Sequence, residues 1–341
     1  LKRAAILVLA ALLLPRVALS TKPTDSGRVA KYGSYSIWDL ATIPEQDIDI
    51  GYWALVIAKE CDSTVDIDRY LHTLDSMAAS IKYMVGPRDG DIVRLAMTKM
   101  YQFDPGEWND NQVFSYDLDD PMGEQPGARL LSTYLDTHNG NCVSMPTLFL
   151  ALMERVDPEI PFHGVAAPLH LFCRYRNRQT GEVWNVETTN GGNGMRDVWV
   201  IEQFQIRQVS IDSGVYMRDL TKKECVGELV GILVSKYRHA GAYDKALRYA
   251  ELMLELNPRS LPGIVHKGGL LAWLGHALQE RIVKVERRRP TPVEHRKLAL
   301  YERESESYIK RAKSLGWEPE TPESRERYIK TVGEAKKDNS E

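Results

Sequence analysis

Asn139-Gly-Asn-Cys-Val-Ser-Met-Pro-Thr-Leu148 joins a Gly/Asn turn to an apolar stretch, and the reading of the fold works outward from it. After Pro146, apolar residues recur at Leu148, Leu150, Ala151, Leu152 and Val156. That run suits a buried helix and is too long for an ordinary core strand. Cys142 therefore falls near a helix N-terminus. Unpaired backbone N–H groups and the positive end of the helix dipole favour thiolate there, and thiolate is the nucleophilic form.

Downstream the pattern changes to strands. Gly164–Tyr175 and Glu182–Glu187 flank the polar run Arg176-Asn-Arg-Gln-Thr-Gly181, which predicts a hairpin. Centring the turn on that run makes paired residue numbers sum to about 357, so His170 is expected opposite Glu187. Alternation then puts His170, Phe172 and Arg174 on one face and Leu169, Leu171 and Cys173 on the other. Gly191-Gly-Asn-Gly194 reads as a flexible loop, and Val198–Ile201 with Gln205–Ile211 as strands or short helices.

Upstream, helical spacing recurs three times. Ile50, Trp53, Ala54, Ile57 and Ala58 mark one helix within Asp47–Glu60; Ile67, Tyr70, Leu71, Leu74 and Met77 mark a second after Asp66; Ile92, Leu95, Ala96 and Met100 mark a third over Asp89–Tyr101. All three stripes are expected to face the core. Phe103–Gly127, rich in Asp, Asn, Pro and Gly, reads as a long surface loop. Its acids Asp117, Asp119 and Asp120 do not match a calcium loop, because Pro121, Met122 and Ala128 fall where that motif needs a ligand, a Gly and a closing Glu.

From about Thr221 the chain is helical again. His239–Pro258 resembles the second half of a tetratricopeptide repeat, with Gly241 at the turn, Ala246 at the close-packed position and Pro258 at the repeat end. Gly263–Glu280 begins a second pair, which Arg287-Arg-Arg-Pro290 interrupts and Val293–Leu315 resumes. Two repeats are too few to stand alone, so they are expected to pack on the preceding domain and to offer a surface for a protein partner.

The ends and the composition bound the setting. Lys2 and Arg3, an apolar run over Ala4–Leu14 and the small residues Ala18-Leu19-Ser20 predict a signal peptide, in preference to an anchor or a core helix. The protein is thus expected to be exported, periplasmic or secreted, without stable membrane insertion. Loss of residues 1–20 removes Lys2, Arg3 and Arg16 and no acid, taking the formal charge from −3 to −6, which argues against nucleic acid as a partner. The expected divisions are signal peptide 1–20, flexible linker 21–34, core 35–218, helical region 219–320 and charged tail 321–341. Cys61, Cys142, Cys173 and Cys225 would share an oxidising compartment. A nucleophilic Cys142 must stay free, leaving at most one bridge, for which Cys61 with Cys225 is the guess; Cys173 is expected in the sheet core.

Cysteine at a helix start, histidine on the next strand and a carboxylate on the strand paired with it are the parts of a cysteine–histidine–acid triad, here Cys142, His170 and Glu187. The Cys142 N–H with the side chain of Asn139 or Asn141 is the candidate oxyanion site. Asn185 shares a face with Glu187 and is the alternative orienting residue. His138-x-x-x-Cys142 with His170-x-x-Cys173 has zinc-like spacing, but alternation turns His170 and Cys173 to opposite faces. His163 reads as a loop histidine. No motif calls for a metal or cofactor.

Together, Asn-Gly-Asn-Cys-Val-Ser-Met-Pro, then Gly-Val-Ala-Ala-Pro-Leu-His-Leu-Phe-Cys-Arg-Tyr, then Val-Glu-Thr-Thr-Asn-Gly-Gly resemble the transglutaminase-like superfamily. The nearest likeness is the bacterial SirB-like branch, in which Pro-Gly-His and Asp-Pro-Phe-Asn-Gly-Gly mark the equivalent strands, and in which a tetratricopeptide tail is typical. The resemblance covers roughly residues 45–215. It implies an α+β, papain-like core with Cys142, His170 and Glu187 as its triad. Glu187 stands where that branch usually has Asp, and Leu169 where it has Gly before the His. The function implied is an exported cysteine hydrolase acting on amide bonds of peptides, cell-wall peptide included, through a thioester. Many members of the branch lack the cysteine, so the alternative is an inactive peptide-binding scaffold whose helical repeats dock a partner.

Overall fold

A computed structural model of the chain describes residues 35–87, 90–125, 127–323, 325–326 and 329–330. The predicted signal peptide and linker, 1–34, lie outside the described residues. From Ser36 onward the described residues form one compact unit, mixed α+β and 61% helical.

Three helices open it: α1 (Ile50–Cys61), α2 (Ile67–Val85) and α3 (Asp91–Phe103). Asp49 and Asp66 cap α1 and α2, accepting from the backbone N–H of Tyr52 and Arg69 respectively. Helix α1 buries every residue from Ile50 to Ala58 rather than a single stripe, as a helix surrounded on all sides must. Helix α2 buries the expected face, from Tyr70 through Leu74 to Ile81. Helix α3 departs from expectation. It buries Thr98, Tyr101 and Gln102, while Ile92 remains 40% exposed. A periodic stripe specifies a shared face, and here three of its four residues, Ile92, Leu95 and Ala96, line a cavity.

The Phe103–Gly127 segment is less of a loop than predicted. Strand β1 (Ser115–Tyr116) pairs in parallel with β2 (Asn139–Gly140), and Phe114 is buried edge-on against Tyr134 of α4 (Leu131–Thr137). Asp117 and Asp120 spend their carboxylates on backbone N–H groups, of Asp119 and Asp120 and of Glu124 and Gln125.

Helix α5 (Ser144–Val156) is the central helix, buried continuously from Ser144 to Met153. At its far end the Arg155 side chain, 5% exposed, holds Asp49 at 2.9 Å and Asp75 at 3.2 Å, tying α5 to α1 and α2. Against α5 lies an antiparallel meander of β3 (Phe162–Ala167), β4 (His170–Arg176), β5 (Val183–Glu187) and β6 (Asn193–Met195). The stretch expected as one strand, Gly164–Tyr175, is two strands folded at Pro168-Leu169, where Leu169 takes a φ of 56°. Proline cannot extend a ladder, so the chain turns there. Gly191-Gly192, both with positive φ, swing Asn193–Met195 back as a fourth strand in place of the expected loop. The free edge of β3 is covered by residues 217–220, since Met217 and Leu220 donate their N–H to Ala166 and Gly164. Val198–Ile201 falls in a short helix, α6 (Asp197–Gln203), and of Gln205–Ile211 the last four residues fall in α7 (Gln208–Asp212) while Gln205–Arg207 connects the two.

The remaining helices are α8 (Lys222–Leu229), α9 (Gly231–His239), α10 (Tyr243–Leu256), α11 (Leu261–Glu280) and α12 (Pro292–Ser314). Their boundaries follow the sequence signals: Gly241 at φ 71° between α9 and α10, Ser260 capping α11, and a Thr291/Glu294 capping box opening α12. They dock on α1 through Glu60. One oxygen of its carboxylate accepts from Tyr249 (2.7 Å), Tyr237 (3.0 Å) and Lys245 (3.0 Å). Burial opposes that charge, but the hydrogen bonds from Tyr249, Lys245 and Tyr237 outweigh it and hold the carboxyl below its usual range. In the charged tail, Arg325 pairs with Glu124.

All four cysteines are free, so the expected Cys61–Cys225 bridge is absent. Cys225 is buried where an added Cβ on Gly164 would sit 2.9 Å from its sulfur, whereas Cys61 closes α1, its carbonyl taken by Lys236 at 2.6 Å. The two thiols have different neighbours. No helix among the described residues is long and apolar enough to cross a membrane.

Candidate active site

Three elements bring Cys142, His170 and Glu187 together. Cys142 precedes the first residue of α5 by two positions, and its Sγ donates to the Leu169 carbonyl at 3.4 Å. The turn that reverses β3 into β4 thus also holds the sulfur. His170 opens β4 and Glu187 closes β5. Their side chains, 5% and 8% exposed, meet with His170 Nε2 2.7 Å from Glu187 Oε2.

The hairpin register differs from the expected one. Cys173 pairs with Val186 and Arg174 with Asn185, so paired numbers sum to 359, and Glu187 lies diagonal to His170 instead of opposite. The turn is one residue later than its polar run implied. A shift of two in the sum leaves parity untouched, so the two side chains still share a face. Glutamate's extra methylene spans the diagonal. Its other oxygen, Oε1, accepts from the Thr189 N–H (2.9 Å) and hydroxyl (2.7 Å), which fixes the carboxylate's orientation. The His170 ring stacks on Phe204 of the turn after α6, centroids 4.8 Å apart.

Electrostatics separate Cys142 from the other cysteines. Burial pushes the Cys61 thiol up to about 11, Cys225 to about 12 and Cys173 well above the ordinary 9.0. At Cys142 burial acts the same way, but His170, with a smaller contribution from Arg129, overcomes it and the pKa falls. Burial disfavours the His170 cation too, yet Glu187 and Cys142 raise it to about 10. Glu187 in turn is held below its usual range, burial being outweighed by His170 and Thr189. These influences favour charge separation, a Cys142 thiolate beside a His170 cation, with the Glu187 carboxylate held ionised next to it. His170 Nδ1 is buried without a hydrogen-bond partner.

The asparagines do other work. Asn139 is exposed and accepts from the Ser115 hydroxyl at 2.8 Å. Asn141 is buried, its oxygen accepting from the N–H groups of Val143 (3.0 Å) and Ser144 (3.3 Å) and its nitrogen donating to Ala128. Its oxygen caps the start of α5. Asn185 gives its oxygen to Arg174 and its nitrogen to Asp197, so Glu187 alone orients His170. His138 packs on Phe114, centroids 4.1 Å apart, and Cys173 Sγ points to the Pro146 carbonyl. Among the described residues no group of three or more His, Cys, Asp or Glu is placed to hold a metal. Sequence reasoning missed Thr189 and Phe204. Threonine two residues after a strand-ending Glu was a readable capping signal; nothing marked Phe204.

Gly140 sets the approach of Cys142. A Cβ there would lie 2.5 Å from Tyr134 Cδ2 and 2.7 Å from Ser144 Oγ, and Tyr134 is fully buried. Gly140→Ala is expected to destabilise the fold by about 1–3 kcal/mol, the usual cost of overpacking, read as a lower midpoint in urea.

Cys142 and His170 open onto a cavity of about 840 Å³. No family model, curated protein or solved structure matches the chain.

Proposed function

We propose that the chain is an exported cysteine hydrolase of transglutaminase-like type, cleaving amide bonds in peptides, cell-wall peptide among the candidates. The observation that carries the reading is the one cysteine with a lowered pKa lying beside a His170–Glu187 pair at 2.7 Å. Helix α5, with Cys142 just before it, packed on an antiparallel sheet supports a papain-like core, and the consecutive helices α9–α12, each packed on the next, support tetratricopeptide-like repeats. Residues 1–20 carry the expectation of export.

In this mechanism the Cys142 thiolate attacks the carbonyl carbon, a C–S bond forms, and the carbonyl π pair moves to oxygen. As the intermediate collapses the C–N bond breaks, and His170 gives its proton to the departing amine. Neutral His170 then takes a proton from water, which attacks the thioester. The acid leaves, and Cys142 returns as thiolate beside imidazolium. Glu187 keeps its charge throughout and stabilises the cation.

The test uses p-nitrophenyl acetate as acyl donor. Acetylation of Cys142 seen by mass spectrometry, with turnover lost in Cys142→Ala and lowered about a hundredfold or more in His170→Ala, supports the reading. Absence of acetyl-Cys142, or acetylation indifferent to His170, rejects it in favour of the binding scaffold.

A further inference from the structure

The cavity beside Cys142 has a composition that narrows what enters it. One wall is the α3 stripe Ile92, Leu95, Ala96 and Lys99, spaced as one helical face. An apolar face that the fold leaves uncovered, with Ile92 40% exposed and Trp184 of β5, another wall residue, 38% exposed, retains its cost of hydration until something covers it. The volume of about 840 Å³ is that of a site for a ligand several residues long.

Charge along the same wall is one-sided. Lys99 and Arg196 contribute cations, and among the described residues neither has a carboxylate partner; Lys99 Nζ is held by the neutral Asn193 side chain at 2.7 Å. The lining carboxylate, Glu187, is saturated by His170 and Thr189. What complements this wall is an apolar group and an anion attached to an electrophilic carbonyl.

We propose that the cavity selects peptides carrying, on the acyl side of the amide that meets Cys142, a bulky apolar side chain and a carboxylate, recognised by the α3 stripe with Trp184 and by Lys99 with Arg196. This rests on the hydrolase reading above. The apolar side chain supplies binding by covering the stripe, and the carboxylate orients the peptide along it.

The test compares rates of Cys142 alkylation by acetyl-Glu-Phe-, acetyl-Glu-Gly- and acetyl-Lys-Phe-chloromethyl ketone, each divided by its rate with free cysteine, with iodoacetamide as a small reference. The Phe reagent is expected to exceed the Gly reagent by about tenfold, and Glu to exceed Lys several-fold, the second ratio shrinking in added salt. Ala96→Trp, filling the wall, collapses the Phe/Gly ratio within that variant. Lys99→Gln with Arg196→Gln collapses the Glu/Lys ratio. Ratios near one in the unmodified protein, or a preference for the Lys reagent, overturn the proposal. Failure of the hydrolase reading is distinct: iodoacetamide then labels Cys142 no faster than an ordinary thiol, whatever the peptide ratios are.

Discussion

Replacing His170 with alanine slows iodoacetamide labelling of Cys142 at pH 6 by about tenfold to a hundredfold. An ordinary thiol near 9.0 is only about one part in a thousand ionised at pH 6, because ionisation falls tenfold per unit below the pKa. His170 is the largest influence pulling Cys142 below that value, so its loss returns the thiol to a mostly protonated state. Part of the gain in thiolate is offset in the unmodified protein, since a less basic thiolate is a weaker nucleophile. The offset is about half on a logarithmic scale, which leaves the stated range.

The pH profile carries the sign. Cys142 is lowered, so its thiolate persists above that lowered pKa; His170 is raised to about 10, so its imidazolium persists below 10. The ion pair occupies the window between, so labelling is expected to level off above the lowered Cys142 pKa and to rise again near 10. In His170→Ala a single inflection at or above the ordinary thiol value replaces it, because burial still raises the thiol. Matching profiles in the two proteins would sink the assignment. Stability follows the same pair. His170, raised above its ordinary 6.5, stabilises the fold most below that pH and loses the contribution as pH climbs towards 10. Glu187, lowered from 4.5, contributes above that pH and loses it in acid.

The second large effect is expected at Arg174, whose side chain is 4% exposed on the same sheet face. Its guanidinium donates to Asn185 Oδ1 (2.7 Å), the Met217 carbonyl (2.9 Å) and Asp197 Oδ1 (2.6 Å), and reaches Asp219 Oδ1 at 3.4 Å. It therefore binds β4 to β5, to α6 and to the segment that covers the edge of β3. Arg174→Met leaves the Asn185 oxygen and the Met217 carbonyl without this donor and two carboxylates without this cation. Breaking such a buried cluster typically costs about 3–5 kcal/mol. Asp197 is half exposed and can rehydrate, and Asp219 keeps Arg176, so the lower end, about 3 kcal/mol, is expected in urea unfolding. Arg174→Lys keeps the charge but not the planar fork and should fall between. A loss under about 1 kcal/mol in Arg174→Met would show that the cluster is dispensable.

The residues of the site were legible in the sequence because two periodicities placed them. Helical spacing after Pro146 put Cys142 at the start of α5, and strand alternation put His170 and Glu187 on one face even though the register differed by two. The helix start after Asp66 and the turn at Gly241 were legible for a similar reason: both act on backbone within a few residues of themselves. The further contacts of the oxyanion candidates were not: the Asn139 oxygen accepts from Ser115, and the Asn141 oxygen caps the start of α5.

By itself the sequence determined which residues share a face, where helices begin and end, and which side chains have the chemistry of a nucleophile, a base and an acid. Only the tertiary structure decided what each face meets. The α3 stripe was expected in the core and instead lines the cavity, the diagonal places Glu187 rather than Asn185 against His170, and Cys61 and Cys225 stay apart. The physical reason is common to all three. Local spacing is set by backbone geometry within one segment, whereas burial, pairing and pKa depend on atoms delivered by other segments, and those positions emerge only when the elements pack.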